Sequence, residues 1–106
     1  MSIVCVIATI TTKDGKRDEA LKNFNENRAN VLNESGCIEY FATIDLEDAG
    51  QVQTKIGQNT FVILEKWASF DDLRSHIVAP HMAVYSEKMK SLLVSRVINV
   101  LSEVDK

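Results

Sequence analysis

Two β-rich segments, one near each end of the chain, carry apolar residues on both of their faces. In residues 3–12 the apolar side chains occupy both parities, with Ile3, Cys5 and Ile7 on one face and Val4, Val6 and Ala8 on the other. Residues 94–101 repeat this pattern with Val94, Val97, Val100 and Leu101. A strand that is apolar on both faces must be covered on both faces. The two terminal strands therefore require packing layers on each side of the sheet they belong to.

The first half of the chain alternates helical and extended patterns. Apolar residues at helical spacing predict an amphipathic helix over residues 16–34, with Asp14 as its N-cap and Gly36 as its C-terminal stop. A strand is predicted over residues 37–46. The polar residues 45–60 are either a mobile loop or an extended hairpin that carries Val52, Thr54 and Ile56.

Scarce residue types gather in residues 61–85, which hold the only Trp, the only Pro and both His residues of the chain. The pattern predicts a strand over residues 61–67 and a short helix capped by Ser69, with a buried stripe of Phe70, Leu73 and Ile77. Pro80 ends that helix or opens the next one, because it lacks an N–H group. A second amphipathic helix follows, and its apolar positions are Met82, Tyr85, Met89, Leu92 and Leu93.

The order strand, helix, strand, strand, helix pair, strand predicts an α+β ferredoxin-like βαββαβ fold with a four-stranded antiparallel sheet. With 106 residues the chain forms one domain, residues 1–106, with a polar tail over about 102–106. The helices cover only one face of such a sheet. We therefore expect the same sheet of a second copy to cover the other face, which makes the protein a homodimer.

Charge and composition exclude several classes of partner. A formal net charge of −3 provides no basic face, so a nucleic-acid partner is not expected. The N-terminus lacks the basic start of a secretory signal, and no apolar run is long enough to span a bilayer. A cytoplasmic location is expected. The unpatterned Cys5 and Cys37 indicate small buried apolar side chains better than a disulfide or a metal site.

Glu65 and Trp67 share strand parity with Phe61 and Ile63, so their side chains point to one face. If helices cover that face, desolvation would raise the pKa of Glu65 and suit it to proton transfer. The alternative for Glu65 is a structural ion pair or a helix cap. Trp67 is expected mainly to form a pocket wall.

The two histidines border the proline break. His76 lies at the edge of the predicted buried stripe, as a boundary residue or as a pocket residue. His81 follows Pro80 at a helix start, where a neutral imidazole could form a hydrogen bond to a ligand, or could make a local contact instead. Tyr40 and Tyr85 suit pocket walls as well as core edges. The spacing of His76 and His81 matches no metal-ligand pattern, so a metal is not expected.

The same segment carries a family resemblance. Its motif runs Phe61-x-x-x-Glu65-x-Trp67-x-Ser69, then Leu73-x-x-His76 and Pro80-His81-x-x-x-Tyr85, and Gly36-Cys37-x-x-Tyr40 precedes it. These residues resemble the antibiotic biosynthesis monooxygenase (ABM) domain, in its quinol-monooxygenase-like bacterial branch. The resemblance implies a dimeric α+β barrel with a pocket between sheet and helices. It also implies oxidation of quinols or polyketide phenols without metal or flavin.

On this basis we expect a cofactor-independent monooxygenase that acts with dioxygen on a quinol, polyphenol or related electron-rich aromatic. His76 is the expected base and Glu65 the runner-up, and Trp67, His81, Tyr85 and Tyr40 are expected to bind substrate. Two alternatives stay open. One is an isomerase or lyase acting on a small dicarbonyl, such as an autoinducer-2 breakdown product, and the other is a non-catalytic small-molecule-binding dimer.

Overall fold

A computed structural model of the protein describes residues 2–104 and contains one four-stranded antiparallel sheet. Its strands are β1 (Val4–Thr12), β2 (Cys37–Thr43), β3 (Thr60–Trp67) and β4 (Leu93–Ser102), in the spatial order β2-β3-β1-β4. The central strands β1 and β3 pair over eight residues, from Val4 opposite Trp67 to Thr11 opposite Thr60. The predicted α+β ferredoxin-like fold is confirmed.

Three helices form the second layer: α1 (Arg17–Leu32), α2 (Phe70–Ile77) and α3 (Pro80–Met89). The sheet side chains beneath them alternate with those on the opposite face. The largest fully buried side chains include Phe61 and Trp67 of β3 and Phe24 of α1. The second predicted helix is shorter than expected, since it ends at Met89 and Leu93 already belongs to β4. None of the described helices is long and apolar enough to cross a membrane.

The helix ends test the predicted caps. Ser69 caps α2 as predicted, because its Oγ accepts the Asp72 backbone N–H at 3.1 Å. The prediction for Asp14 is wrong: α1 begins only after Lys16, and Asp14 Oδ1 instead accepts a hydrogen bond from Asn59 Nδ2 at 3.2 Å. Pro80 stands in the first turn of α3, where a missing backbone N–H costs nothing.

The long connection between β2 and β3 is a loop with one short 3-10 turn at Gly50–Val52, so the alternative of an extended hairpin is wrong. Asp45 organises its two ends, since its carboxylate accepts the backbone N–H groups of Ile56 and Gly57 at 2.9 and 3.0 Å. These two bonds lower the pKa of Asp45. They hold the loop in a defined shape without strand pairing.

The sheet face away from the helices is apolar and is covered by none of the described residues. Cys5 and Ile7 of β1 lie on this face beside Leu64 of β3, and Val97 and Leu101 of β4 are 54% and 44% exposed there. The apolar residues on the second face of the two terminal strands therefore form this uncovered surface. We call this surface the outer face, and it consists of Ile3, Cys5, Ile7, Phe41, Val62, Leu64, Val97 and Leu101.

Gly36 lies where the turn after α1 packs closely against Asp72 of α2. It has φ +81°, and a Cβ built there would lie 2.1 Å from Asp72 Oδ2 and 2.6 Å from Asp72 Cβ. Its carbonyl accepts the Ala68 N–H at 2.8 Å. The turn after α1 and the start of α2 therefore touch through a position that only glycine fits.

We expect Gly36→Ala to lower the free energy of unfolding by about 2–3 kcal/mol. Left-handed backbone costs a non-glycine residue about 1–2 kcal/mol, and displacing Asp72 weakens the Ser69 cap by about 1 kcal/mol more. Gly15→Ala is the matched control, because Gly15 has φ +74° but nothing within 4 Å of an added Cβ. Urea unfolding of both variants measures the difference, and equal losses would show that the contact with Asp72 carries no energy.

Candidate functional site

A cavity of about 610 Å³ lies between the helix-covered face of the sheet and helices α2 and α3. This volume falls in the range of small-molecule sites. One end of the cavity is lined by buried side chains: Tyr40, Ile63, Glu65, Leu73 and His76. The other end opens to solvent along β4, where Ile98 and Val100 line the cavity yet are 48% and 49% exposed.

Strand register brings the polar groups of the buried end together. Glu65 of β3 lies opposite Tyr40 of β2 on one side and Val6 of β1 on the other. Residues opposite each other in antiparallel strands point to the same face, so Glu65 and Tyr40 both face the helices. The parity prediction for Glu65 and Trp67 is thus confirmed.

Glu65 is a buried carboxyl group with one oxygen occupied. Its Oε1 accepts the indole N–H of Trp67 at 2.9 Å. Burial raises the pKa of Glu65, and Glu34 raises it further, whereas the Trp67 hydrogen bond and nearby His76 oppose the shift. Desolvation is the largest effect, so the neutral form of Glu65 persists to higher pH than in an exposed glutamic acid.

His76 is 4% exposed and is held on three sides. Its Nδ1 lies 2.6 Å from Glu34 Oε1, and its ring centroid lies 4.7 Å from that of Trp67 and 5.6 Å from that of Tyr40. A carboxylate on Nδ1 favours the tautomer that carries its proton there, which leaves Nε2 with a lone pair. The Glu34–His76 pair therefore provides a potential proton acceptor at the buried end of the cavity.

Burial of His76 changes the interpretation of α2. The predicted stripe of Phe70, Leu73 and Ile77 is wrong at two positions, since Phe70 and Ile77 are 51% and 61% exposed. Leu73 and His76 are the buried residues of this helix. A polar ring takes the core position because Glu34 satisfies its Nδ1, which removes the usual cost of burying it.

Glu34 also approaches the second histidine. His81 Nε2 lies 3.6 Å from Glu34 Oε2, beyond hydrogen-bond distance. Both ring nitrogens of His81 are enclosed and find no hydrogen-bond partner among the described residues. The Glu34 carboxylate thus lies between two imidazoles and is hydrogen-bonded to only one of them.

The two tyrosines stay protonated over the ordinary pH range. Tyr40 stacks on Phe24 with ring centroids 5.0 Å apart, and burial raises the pKa of its phenol. Burial also raises the pKa of Tyr85 to about 12, although Arg96 works against the shift. Both phenols are therefore neutral groups that can donate hydrogen bonds.

The six predicted site residues fall into two layers. The structure places four in the cavity lining: Tyr40, Glu65, His76 and Tyr85. Trp67 and His81 lie behind that lining, where Trp67 contacts Glu65 and His76, and His81 approaches Glu34. Their roles in binding or catalysis stay predictions.

Two residues with a place at the site were missed from the sequence, Glu34 and Arg96. Glu34 stands two residues before Gly36 and meets a partner 42 residues away, so no local spacing marks it. Arg96 lies in β4 opposite the buried Ile10. The alternation of side chains along the strand could therefore have placed it on the helix-covered side.

Within residues 2–104, no group of three His, Cys, Asp or Glu side chains is arranged to hold a metal ion. Cys5 and Cys37 are free thiols. Both are partly exposed, so the prediction of small buried side chains is wrong on burial, because Cys5 lies on the uncovered outer face and Cys37 at the first residue of β2.

Comparison with known proteins agrees with this fold. The chain is 33% identical over 101 residues to the "Probable quinol monooxygenase YgiN" of Escherichia coli K12, covering 93% of this chain and 96% of that protein. A Caulobacter crescentus crystal structure, whose assignment as an antibiotic biosynthesis monooxygenase is itself provisional, superposes with a TM-score of 0.80 at 26% identity and covers 98% of this chain and 92% of its own. A Pseudomonas aeruginosa structure also reaches 0.80, at 23% identity, over 99% of this chain and 97% of its own, and shows the shared fold.

A family match completes the comparison. Residues 3–88, which contain α1, the Glu34–His76 pair and every strand except β4, match the family described as antibiotic biosynthesis monooxygenase. The extent of this match, together with the 33% identical relative, shows that the chain belongs to the antibiotic biosynthesis monooxygenase (ABM) family.

Proposed function

We propose that the protein is a cofactor-independent monooxygenase that oxidises a quinol, polyphenol or related electron-rich aromatic molecule. The observation that carries this proposal is the Glu34–His76 pair at the buried end of a largely apolar cavity. The relative from Escherichia coli, described as a probable quinol monooxygenase, supports the choice of substrate class.

In this mechanism His76 removes a phenolic proton from the substrate. Its Nε2 accepts the proton, and the imidazolium that forms is stabilised by the Glu34 carboxylate 2.6 Å from Nδ1. Most of the cavity lining is apolar and His76 is buried, so the substrate anion is poorly solvated by water. Deprotonation in this setting makes the aromatic ring a stronger reductant.

The electron-rich anion then reacts with dioxygen directly. One oxygen atom forms a bond to a ring carbon, and the other leaves as water after the oxygen–oxygen bond breaks. For a simple quinol the balance is quinol plus O₂ giving hydroxyquinone plus water, with four electrons passing from the ring to oxygen. The proton taken by His76 returns to the departing oxygen, so the protein ends unchanged.

The surrounding residues position the substrate in this scheme. Tyr40 and Tyr85 carry neutral phenols on the cavity wall and can donate hydrogen bonds to substrate oxygens. Trp67 donates its indole N–H to Glu65, and His81 Nε2 lies 3.6 Å from Glu34 Oε2 on the side away from the cavity lining. Glu65 is the alternative proton acceptor.

We also propose that the protein is a homodimer in which the outer faces of two sheets pack together. The outer face is apolar, spans all four strands and lies opposite the helices. Lys66 and Glu39, which are charged residues at one end of the sheet beside the outer face, form an ion pair at 3.2 Å. A self-complementary patch of this kind suits a two-fold interface between identical chains.

We expect His76→Ala to reduce quinol-dependent oxygen uptake by at least 100-fold in kcat/KM, because the general base is lost. Glu34→Gln should reduce it by about tenfold, since Gln cannot stabilise the imidazolium. Ser75→Ala, at the exposed neighbouring position of α2, is the matched control. An oxygen electrode and a panel of small quinols supply the measurement.

Three outcomes would contradict the monooxygenase proposal. They are no oxygen uptake above autoxidation by metal-free protein, full activity in His76→Ala, and turnover of a dicarbonyl under anaerobic conditions. The third would identify an isomerase or lyase. Thermal stabilisation by an aromatic ligand that is recovered unchanged, with no turnover of any quinol, would identify a binding protein.

Glu65→Gln should gain stability relative to wild type as pH rises from the ordinary glutamic acid range through the raised folded-state pKa of Glu65. Since burial raises the pKa of Glu65 in the folded state, the folded protein holds a proton that the unfolded chain has lost, and wild-type stability falls as pH rises through the folded pKa. Gln removes this dependence and can still accept the Trp67 N–H. Urea unfolding across this pH range measures the effect.

Glu26→Gln, at an exposed position of α1, controls for the loss of one negative charge. A constant difference between Glu65→Gln and wild type at all pH values would contradict the assignment. The same variant separates the two candidate bases, because oxygen uptake is retained if His76 is the base and lost if Glu65 is.

Leu64→Glu, on the outer face of central strand β3, should convert the dimer into a monomer. A buried pair of unpaired carboxylates at the two-fold interface would outweigh its apolar contacts. Size-exclusion chromatography with light scattering measures the mass. Leu46→Glu, a 71% exposed loop position, is the control and should stay dimeric. A monomeric wild-type protein, or a dimeric Leu64→Glu variant, would refute this assembly.

A further inference from the structure

One cation of the cavity lining takes no part in the mechanism above. Arg96 lies opposite Ile10 in the β1–β4 register, and Ile10 is buried beneath the helices. Opposite residues share a face, so Arg96 lies on the helix-covered side of β4 and lines the cavity. It does not lie on the outer face, so the dimer proposed above does not bury it.

The charges around Arg96 leave its guanidinium without a carboxylate partner. No described acidic side chain lies within ion-pair distance of it, although Glu87 and Lys90 also line the cavity. Glu87 and Lys90 are three residues apart at the end of α3, where opposite charges offset each other. One positive charge, that of Arg96, is therefore in excess at the open end of the cavity.

We propose that Arg96 binds a carboxylate substituent of the aromatic substrate, so that the natural substrate is an aromatic acid. The guanidinium presents paired N–H donors that match the two oxygens of a carboxylate. One surplus positive charge matches the single negative charge of a carboxylate better than the charge of a phosphate monoester, which is about −1.5 to −2 at pH 7. This inference rests on the proposed function and names the substrate class more narrowly.

Strand geometry also limits the length of the substrate. Glu65 lies opposite Val6, and Arg96 lies opposite Ile10, so four residues of β1 separate the two levels. At 3.3 Å per residue this is about 13 Å along the sheet, which the inward reach of both side chains shortens. A bicyclic aromatic acid spans more of this distance than a single ring, so it can place its carboxylate near Arg96 while its hydroxyl end lies toward the level of Glu65.

The test is the binding of two ligands of equal shape, 6-hydroxy-2-naphthoic acid and 6-hydroxy-2-naphthamide, measured by calorimetry at low salt and without dioxygen, so that neither can be oxidised. We expect wild-type protein to bind the acid about tenfold more tightly than the amide, as for a charge-assisted pair. Arg96→Gln should remove this preference and leave amide binding unchanged. Arg96→Lys should retain part of it, because the charge remains without the paired donors.

Lys88→Gln is the matched control, since Lys88 is an exposed cation of α3 outside the cavity lining. Equal affinity of wild-type protein for acid and amide, or an acid preference that survives in Arg96→Gln, would overturn the inference. Neither measurement needs turnover, so the result is separate from oxygen uptake. Quinol oxidation without an acid preference would refute only the role of Arg96, and an acid preference without quinol oxidation would refute only the monooxygenase proposal.

Discussion

The hydrogen bond between Glu34 and His76 is the interaction on which the rest of the site depends. It joins the turn after α1 to α2 and permits a polar ring to occupy a core position at 4% exposure. Without the carboxylate, the buried Nδ1 would lose its partner at a cost of about 1–3 kcal/mol. The two segments can approach because Gly36 presents no Cβ to Asp72. The close packing at Gly36 and the Glu34–His76 hydrogen bond therefore both depend on the approach of the same two segments.

Most of the fold follows from local sequence patterns, whereas much of the site does not. Strand parity places Glu65 and Trp67 on one face, and the Ser69 cap and Pro80 mark helix starts that the structure reproduces. These features depend on neighbours within a few residues, so a sequence reveals them. Glu34 acquires its role only when a residue 42 positions away folds against it.

The wrong prediction of the buried residues of α2 also results from a partner that is distant in sequence. Helical spacing of apolar residues ranks Phe70 and Ile77 above His76 as core positions, because hydrophobicity is counted one residue at a time. The free energy of burying a polar ring depends on its partner, which spacing does not reveal. Phe70 lies instead at the surface, with the Arg74 guanidinium 5.7 Å from its ring centroid. The histidine that looked like a boundary residue is therefore the core residue of the helix.

In the proposed mechanism, two carboxyl groups at the buried end of the cavity would have to coexist with an anionic substrate. Glu34 is committed to His76, and its charge is offset when that imidazole takes a proton. A second ionised carboxylate in the lining would repel a phenolate. Burial acts against this by raising the pKa of Glu65, so its neutral form can donate a hydrogen bond to a substrate oxygen instead of opposing its charge. In the proposed mechanism His76 is preferred to Glu65 as the base, because Glu34 is placed to stabilise its protonated form.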